Sequence, residues 1–132
     1  MKYLLDTNAC ISYLNNPASK IRVRLGLLKP SDIVLCSVVE SELYYGVMKS
    51  SKPDENRDKL EYFLKLFLSL PFGSDAANIF GRIRATLAKA GTPIGPYDLQ
   101  IAAIAVANNL TLVSHNVREF SRVSDLLLED WE

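Results

Sequence analysis

The sequence predicts an α/β fold: a mainly parallel sheet of four to five short strands with helices on both faces. Three observations carry this. Short apolar runs alternate with longer helical patterns from one end of the chain to the other. No linker, repeat or low-complexity tract interrupts them. The 132 residues, 48% apolar and 23% charged, match one domain, residues 1–132, that buries about two-thirds of its unfolded surface. Such a chain needs neither disulfides nor a structural metal, and general disorder is excluded.

Taken in order, Lys2 to Leu5 is a short apolar run read as a buried strand, and Asp6-Thr7-Asn8 ends it with turn and N-cap residues. A helical stretch follows to about Leu14. Pro17 reopens a helix carrying Lys20, Arg22 and Arg24, which Lys29-Pro30 stops. Ile33 to Cys36 is a second strand. Ser37-x-x-Glu40 is a capping-box pattern that starts a helix running to about Met48. Pro53-Asp54 breaks the chain, and Glu55 to Leu70 reads as a long helix with a short strand at Leu70 to Phe72. Ser74 or Asp75 is placed to cap a helix over Ala76 to Lys89. Gly91 to Pro96 is a tight loop and Tyr97 to Asn108 a helix. Thr111 to Val113 is a strand, Val117 to Phe120 one helical turn, and Leu126 to Leu128 a last strand.

Charge narrows the function classes. Fifteen basic and fifteen acidic side chains give net charge zero, so any nucleic-acid binding must come from a local patch. The longest unbroken apolar run, Ile101 to Ala107, is far short of a membrane span. Residues 1–20 show no signal-peptide pattern. Cys10 and Cys36 fit no zinc or redox spacing and read as reduced core thiols. A cytoplasmic location without membrane attachment is the expectation.

Four acidic positions do not fit a plain core pattern. Val38, Val39, Tyr45 and Gly46 fall within about 60° of Glu42 on a helical wheel, which puts Glu42 in an apolar stripe. Glu40 lies on the far side and has a capping role. Asp98 heads the inward face of a very apolar helix, with Ile101, Ala102 and Ala105 behind it. Asp6 ends the first strand, where α/β folds place ligands. Glu119 follows the strand Thr111–Val113, with Ser114 and Asn116 between. Each has a plainer reading: a rim carboxylate paired with lysine for Glu42, a helix cap for Asp98 and Asp6, and a turn capped by Asn116. Taken together, all four can lie at one rim of one sheet. Converging carboxylates repel and lose hydration, so they take up protons or bind a cation. All-oxygen ligands select a hard divalent ion, Mg²⁺ or Mn²⁺, able to activate water against a phosphodiester.

On these residues the chain resembles the PIN-domain ribonucleases, in particular the VapC toxins of bacterial toxin–antitoxin operons. Tyr3-Leu4-Leu5-Asp6-Thr7-Asn8 looks like the family's first strand with its first acid. Ser37 to Gly46 looks like its second motif, with Glu42 as the acid. Gly95-Pro96-Tyr97-Asp98-Leu99-Gln100-Ile101-Ala102 looks like the third, and Leu112 to Phe120 the fourth. The fourth acid is often aspartate in the family; here Glu119 stands there. The resemblance covers the whole chain. It implies a PIN-like three-layer α/β/α fold and a Mg²⁺-dependent endoribonuclease, with Mn²⁺ as a substitute. Asp6, Glu42, Asp98 and Glu119 would be its catalytic, metal-holding acids, and Thr7, Asn8, Ser114 and Asn116 would support them. It also implies a VapB-type antitoxin and a homodimer. The Gly95-Pro96-Tyr97-Asp98 wording looks most like the subgroup that cuts initiator tRNA in the anticodon loop.

RNA brings negative charge to a negative pocket, so cations are needed nearby. Lys20, Arg22, Arg24, Arg82 and Arg84 are candidates, against a plainer reading as solvated helix faces. Tyr97 could stack on a splayed base or pack as a helix-start aromatic. His115, the only histidine, is not assigned as a base. Around residues 60–70, Leu60, Phe63, Leu64 and Phe67 make one helix face, with Tyr62 and Leu66 opposite. That pattern fits either a partner face or complete burial within the domain. A phosphoacceptor receiver domain needs a late-strand lysine, and Lys89 is the last lysine here. No glycine-rich nucleotide-binding motif is present. A non-catalytic PIN-like interaction protein is the remaining alternative.

Overall fold

The computed structural model describes residues 1–132. Five strands form one sheet: β1 (Tyr3–Leu5), β2 (Ile33–Cys36), β3 (Leu68–Leu70), β4 (Thr111–Val113) and β5 (Leu127–Glu129). Their order is β3-β2-β1-β4-β5 and every pairing is parallel. Parallel neighbours need crossovers, and helices supply them: α1 (Thr7–Asn15), α2 (Lys20–Gly26), α3 (Ser37–Met48), α4 (Pro53–Leu64), α5 (Ser74–Lys89), α6 (Pro96–Ala107) and α7 (Val117–Phe120). Successive strand residues point to opposite faces, yet Leu4 and Leu5, all of β2, and Leu112 and Val113 are buried. Both faces of the sheet centre are therefore covered, which is the expected three-layer arrangement. The edge strands β3 and β5 are only partly buried. In receiver-type sheets the second strand lies at the edge; here β3 does, a further reason to set that reading aside.

Most local readings hold, and the exceptions have physical causes. The helix expected over Glu55 to Leu70 ends at Leu64, and the strand expected at Leu70 to Phe72 runs Leu68–Leu70. Pairing with Val34 to Cys36 on β2 pulls this segment into an extended ladder, against a helical periodicity that continues into it. Leu60 and Phe63 are buried, and Phe67, now off the helix, still packs on Phe63 with ring centroids 5.3 Å apart. The second helix starts at Lys20 under a Ser19 cap, whose hydroxyl accepts from the Arg22 amide at 3.2 Å, and ends at Gly26 rather than at Lys29-Pro30. The last strand lies one residue later than expected.

Two expected caps do not form. Cys36, the last residue of β2, occupies the N-cap of α3, so Ser37 is already inside the helix and no capping box closes. Glu40 instead accepts a hydrogen bond from the Ser69 hydroxyl of β3 at 2.5 Å. Gly73, not Ser74 or Asp75, precedes α5, without a side-chain cap. Gly91, with φ of 71°, ends the run after α5 in the left-handed region that a side chain would strain.

The core is one contiguous cluster. Its centre is α6, where Leu99 and Ile101 to Ala105 are all buried. Cys10 and Cys36 are buried and unbonded. Burial pushes the Cys36 thiol up to about 11 and Cys10 well above its ordinary value, so both are inert neutral thiols. No helix is long and apolar enough to cross a membrane.

Phe120 anchors the short α7 in this core with 1% of its surface exposed. Phe120→Ala should therefore cost about 3–5 kcal/mol, read as a lower urea midpoint at an unchanged denaturant slope.

Candidate active site

The chain crosses over in opposite directions from the middle of the sheet, so the β1–β4 junction is its topological switch point, where ligands bind at the carboxyl ends of strands. Asp6 stands directly after β1 and Ser114 directly after β4. The Asp6 amide donates to the Val113 carbonyl at 3.1 Å, which ties the two strand ends together. Asp6 is buried to 4% exposure. Its side chain caps α1, accepting from the Ala9 amide at 2.8 Å. The plainer reading of Asp6 as a cap is thus correct, and it holds the carboxyl at the rim.

Glu42 lies half-buried on α3, at the margin of the buried stripe. That stripe runs through Val38, Val39 and Leu43; Tyr45, expected inward, is 66% exposed. The structure gives Glu42 no lysine partner. The Thr7 hydroxyl donates to Glu42 Oε1 at 2.6 Å, linking the helix after β1 to the helix after β2. Asp98 sits in the first turn of α6, behind Pro96 at the first position, where the helix dipole favours a carboxylate. Glu119 sits on α7, and the Asn116 amide donates to its Oε2 at 2.7 Å. The sequence predicts Asn116 as the cap of α7, but its side chain makes no cap hydrogen bond and turns to Glu119 instead. Ser114, 1% exposed, accepts from the Asn116 amide N–H at 2.9 Å. Asn8 is exposed and hydrogen-bonds to none of the acids.

The electrostatics of these groups are coupled. Burial pushes the Asp98 carboxyl up to about 6, and repulsion from Glu119, Asp6 and Glu42 adds to it, together with a hydrogen bond to Glu119. Burial also raises Asp6. The Ser114 hydroxyl and the Ala9 amide oppose that shift by hydrogen bonding, while Glu132 and Glu42 reinforce it by repulsion. Glu132, exposed at the carboxyl terminus, adds a smaller charge effect at Asp6 that the sequence reading missed. No local pattern marks it, because it reaches Asp6 only through the path of the carboxyl terminus. That path is fixed by Trp131, packed edge-on against Tyr3 at 5.0 Å, and by the contact between His115 Nδ1 and Asp130 at 3.0 Å. His115, Asp130 and Glu132 bring ligand atoms within 4.8 Å of one another, but all three are exposed. No three of the rim acids bring ligand atoms that close together.

The donor set is oxygen only, it is crowded with like charge, and two of its members hold protons more tightly than usual. These properties fit a hard divalent cation. Asp6, Glu42, Asp98 and Glu119 could hold it. Beside Glu42, α1, α3 and α4 enclose a groove of about 300 Å³ lined by Ile11, Leu14, Leu43, Val47 and Leu60. Tyr97, next to Asp98, is 59% exposed and does not pack in the core. Arg82 and Arg84 are exposed on α5. Two of the other basic candidates are committed elsewhere. Arg22 donates from Nε to the Tyr13 carbonyl at 2.7 Å, and Arg24 pairs with Glu129 at 3.5 Å and lies over Trp131.

Comparison with known proteins places this arrangement. A family model described as PIN domain matches residues 3–126. The chain is 40% identical over 133 residues to Ribonuclease VapC2 of Rickettsia felis, covering 100% of this chain and 99% of the relative. It is 40% identical over 131 residues to the tRNA(fMet)-specific endonuclease VapC of Salmonella typhimurium, covering 99% and 98%. Its fold matches the crystal structure of DNA-bound VapBC from Salmonella typhimurium with a TM-score of 0.95 at 39% identity, covering 100% of this chain and 99% of that one. VapBC2 of Rickettsia felis, bound to a fragment of promoter DNA, matches with a TM-score of 0.93 at 38% identity, both chains fully covered.

The proton affinity of Asp98 sets a pH dependence. Between its ordinary value of 3.8 and about 6, the folded chain keeps a proton that the unfolded chain has released. The metal-free fold therefore loses stability as pH rises through that window and stays at the lower level above it. Asp6 is shifted in the same sense. A cation bound to the ionised acids offsets the loss. Mn²⁺ should raise the melting temperature clearly at about pH 7.5 and much less at about pH 5. Asp98→Asn should raise the metal-free melting temperature at the higher pH and shrink the Mn²⁺ response.

Proposed function

The chain belongs to the PIN-domain family, in its VapC ribonuclease branch, and from that premise we propose that it is a Mg²⁺-dependent endoribonuclease toxin restrained by a VapB-type antitoxin. The observation that carries the reading is the meeting of Asp6, Glu42, Asp98 and Glu119 in one shared field at the β1–β4 switch point. These acids would hold Mg²⁺, or Mn²⁺ in its place. When bound, such an ion supplies an activated water and charge stabilisation for phosphodiester hydrolysis.

The chain's own residues set up that chemistry. Thr7 fixes Glu42, Asn116 fixes Glu119, and the Ala9 amide fixes Asp6, so the acids keep their orientation when a substrate arrives. In this reading they hold the ion and form no covalent intermediate. Tyr97, exposed beside Asp98, takes a splayed base, and Arg82 and Arg84 meet phosphates. Initiator tRNA is the proposed substrate. The tRNA(fMet)-specific name of the Salmonella relative supports it, as does the Gly95-Pro96-Tyr97-Asp98 sequence. The apolar groove beside Glu42 suits an antitoxin segment, with a basic side chain reaching the acids. Tyr62 at 73% exposure and Leu68 at 59% offer an apolar face for a homodimer.

The purified chain should cut RNA with Mg²⁺ or Mn²⁺ and stop with EDTA. Asp6→Asn, Glu42→Gln and Asp98→Asn should each remove cutting, by on the order of a hundredfold or more, with the fold intact by circular dichroism. Glu119→Gln should lose less. Full activity in any of the first three would take that residue out of the site. Mapping cleaved ends across cellular RNA after brief induction, with Asp98→Asn as control, would identify the substrate; intact initiator tRNA would exclude that target.

A further inference from the structure

We propose that the outer ridge of α3, formed by Tyr45 and Lys49, is the surface on which a single-stranded segment of the RNA substrate lies as it enters the cleft at Glu42. The inference rests on the ribonuclease reading and extends it to a surface outside the acids. Tyr45 and Lys49 follow Glu42 at i+3 and i+7, so they lie on the same side of the helix, about 4.5 and 10.5 Å further along its axis. Tyr45 is 66% exposed, a large aromatic left in solvent where the helical pattern predicts burial. The Lys49 ammonium stands 4.9 Å from its ring centroid. Aromatic rings of this kind stack on unpaired bases without regard to sequence.

Charge supplies the second argument. Four clustered acids repel phosphates, so a strand reaching them needs cations beside the site. Arg57 is paired with Asp54, and Lys52 and Lys59 with Glu55. Lys49 is in no ion pair and caps the carboxyl end of the helix that carries Glu42. Gly46 supplies the third. It lies on that face between Glu42 and Lys49, inside a helix that glycine weakens relative to alanine. A methyl group there would meet no atom within 4 Å, so packing within the chain does not demand glycine. It also lines the groove beside Glu42, and its missing side chain keeps the boundary between that groove and the ridge open.

The test uses the full chain with Asp98→Asn to silence cutting, and a fluorescein-labelled single-stranded RNA oligomer, followed by anisotropy across a salt series. Tyr45→Ala should weaken binding on the order of tenfold, and Tyr45→Phe should restore it. Lys49→Ala should lower the slope of log affinity against log salt by about one unit, and Lys49→Arg should not. Gly46→Leu should weaken binding without lowering the melting temperature. Cleavage of the same RNA by the unmodified chain with Mg²⁺ is measured alongside. If that chain cuts and the variants bind as tightly as their parent, with the same salt slope, the surface assignment is wrong while the ribonuclease reading stands. If that chain does not cut, both fall. Variants that change only the oligomeric state or the grip of an antitoxin would assign the ridge to a protein partner and overturn the proposal.

Discussion

Like charges confined at a half-buried rim repel, lose hydration and raise one another's proton affinity. At Asp98 burial, and after it Glu119, Asp6 and Glu42, hold the carboxyl up to about 6. A chain that gathers these groups must oppose the repulsion with the rest of its structure. It does so by tying each acid to a rigid element. Asp6 is held by the Ala9 amide, Glu42 by Thr7, and Glu119 by Asn116. Every one of these donors is neutral, so the orientation is fixed while the negative charge stays in place for a cation.

The scaffold that resists the repulsion is the parallel sheet and α6. Residues of the central strands are buried on both faces, and from Leu99 to Ala107 α6 is apolar except for the half-buried Gln100. A helix so nearly apolar all round must be surrounded, and its amino-terminal end is where Asp98 emerges. The same logic holds for α7, a single turn too short to be stable alone, which Phe120 pins to the core and so aims Glu119. Stability and site geometry are therefore coupled at the ends of the elements, not in their middles.

Charge is distributed with the same economy. The chain is neutral overall, and several cations are tied up in the fold. Arg22 and Arg24 bind the Tyr13 carbonyl and Glu129 while lying over Tyr13 and Trp131. Arg122 donates to the Pro93 carbonyl at 2.9 Å. A neutral chain cannot collect nucleic acid by its overall field, so recognition falls to the few exposed cations and aromatics that the fold leaves uncommitted near the acids.

Much of this was legible in the residues themselves. Strands at Ile33–Cys36 and Thr111–Val113, the turn of α7 and the anomalous places of Asp6, Glu42 and Asp98 follow from local apolar pattern, turn chemistry and helical period, which the sequence carries by itself. Where local preference competed with sheet pairing, the ladder won. Leu66 and Phe67 continue a helical pattern, but β2 draws the next residues into β3. Glu40 fits a capping box, but Ser69 on β3 takes its carboxylate. Glu132 has no local signal at all. It joins the field of Asp6 because Trp131 docks on Tyr3 at the far end of the chain. Side-chain period and backbone chemistry act over a few residues and are written in order, whereas which distant groups share a field depends on strand order and crossover, and only the folded chain decides that.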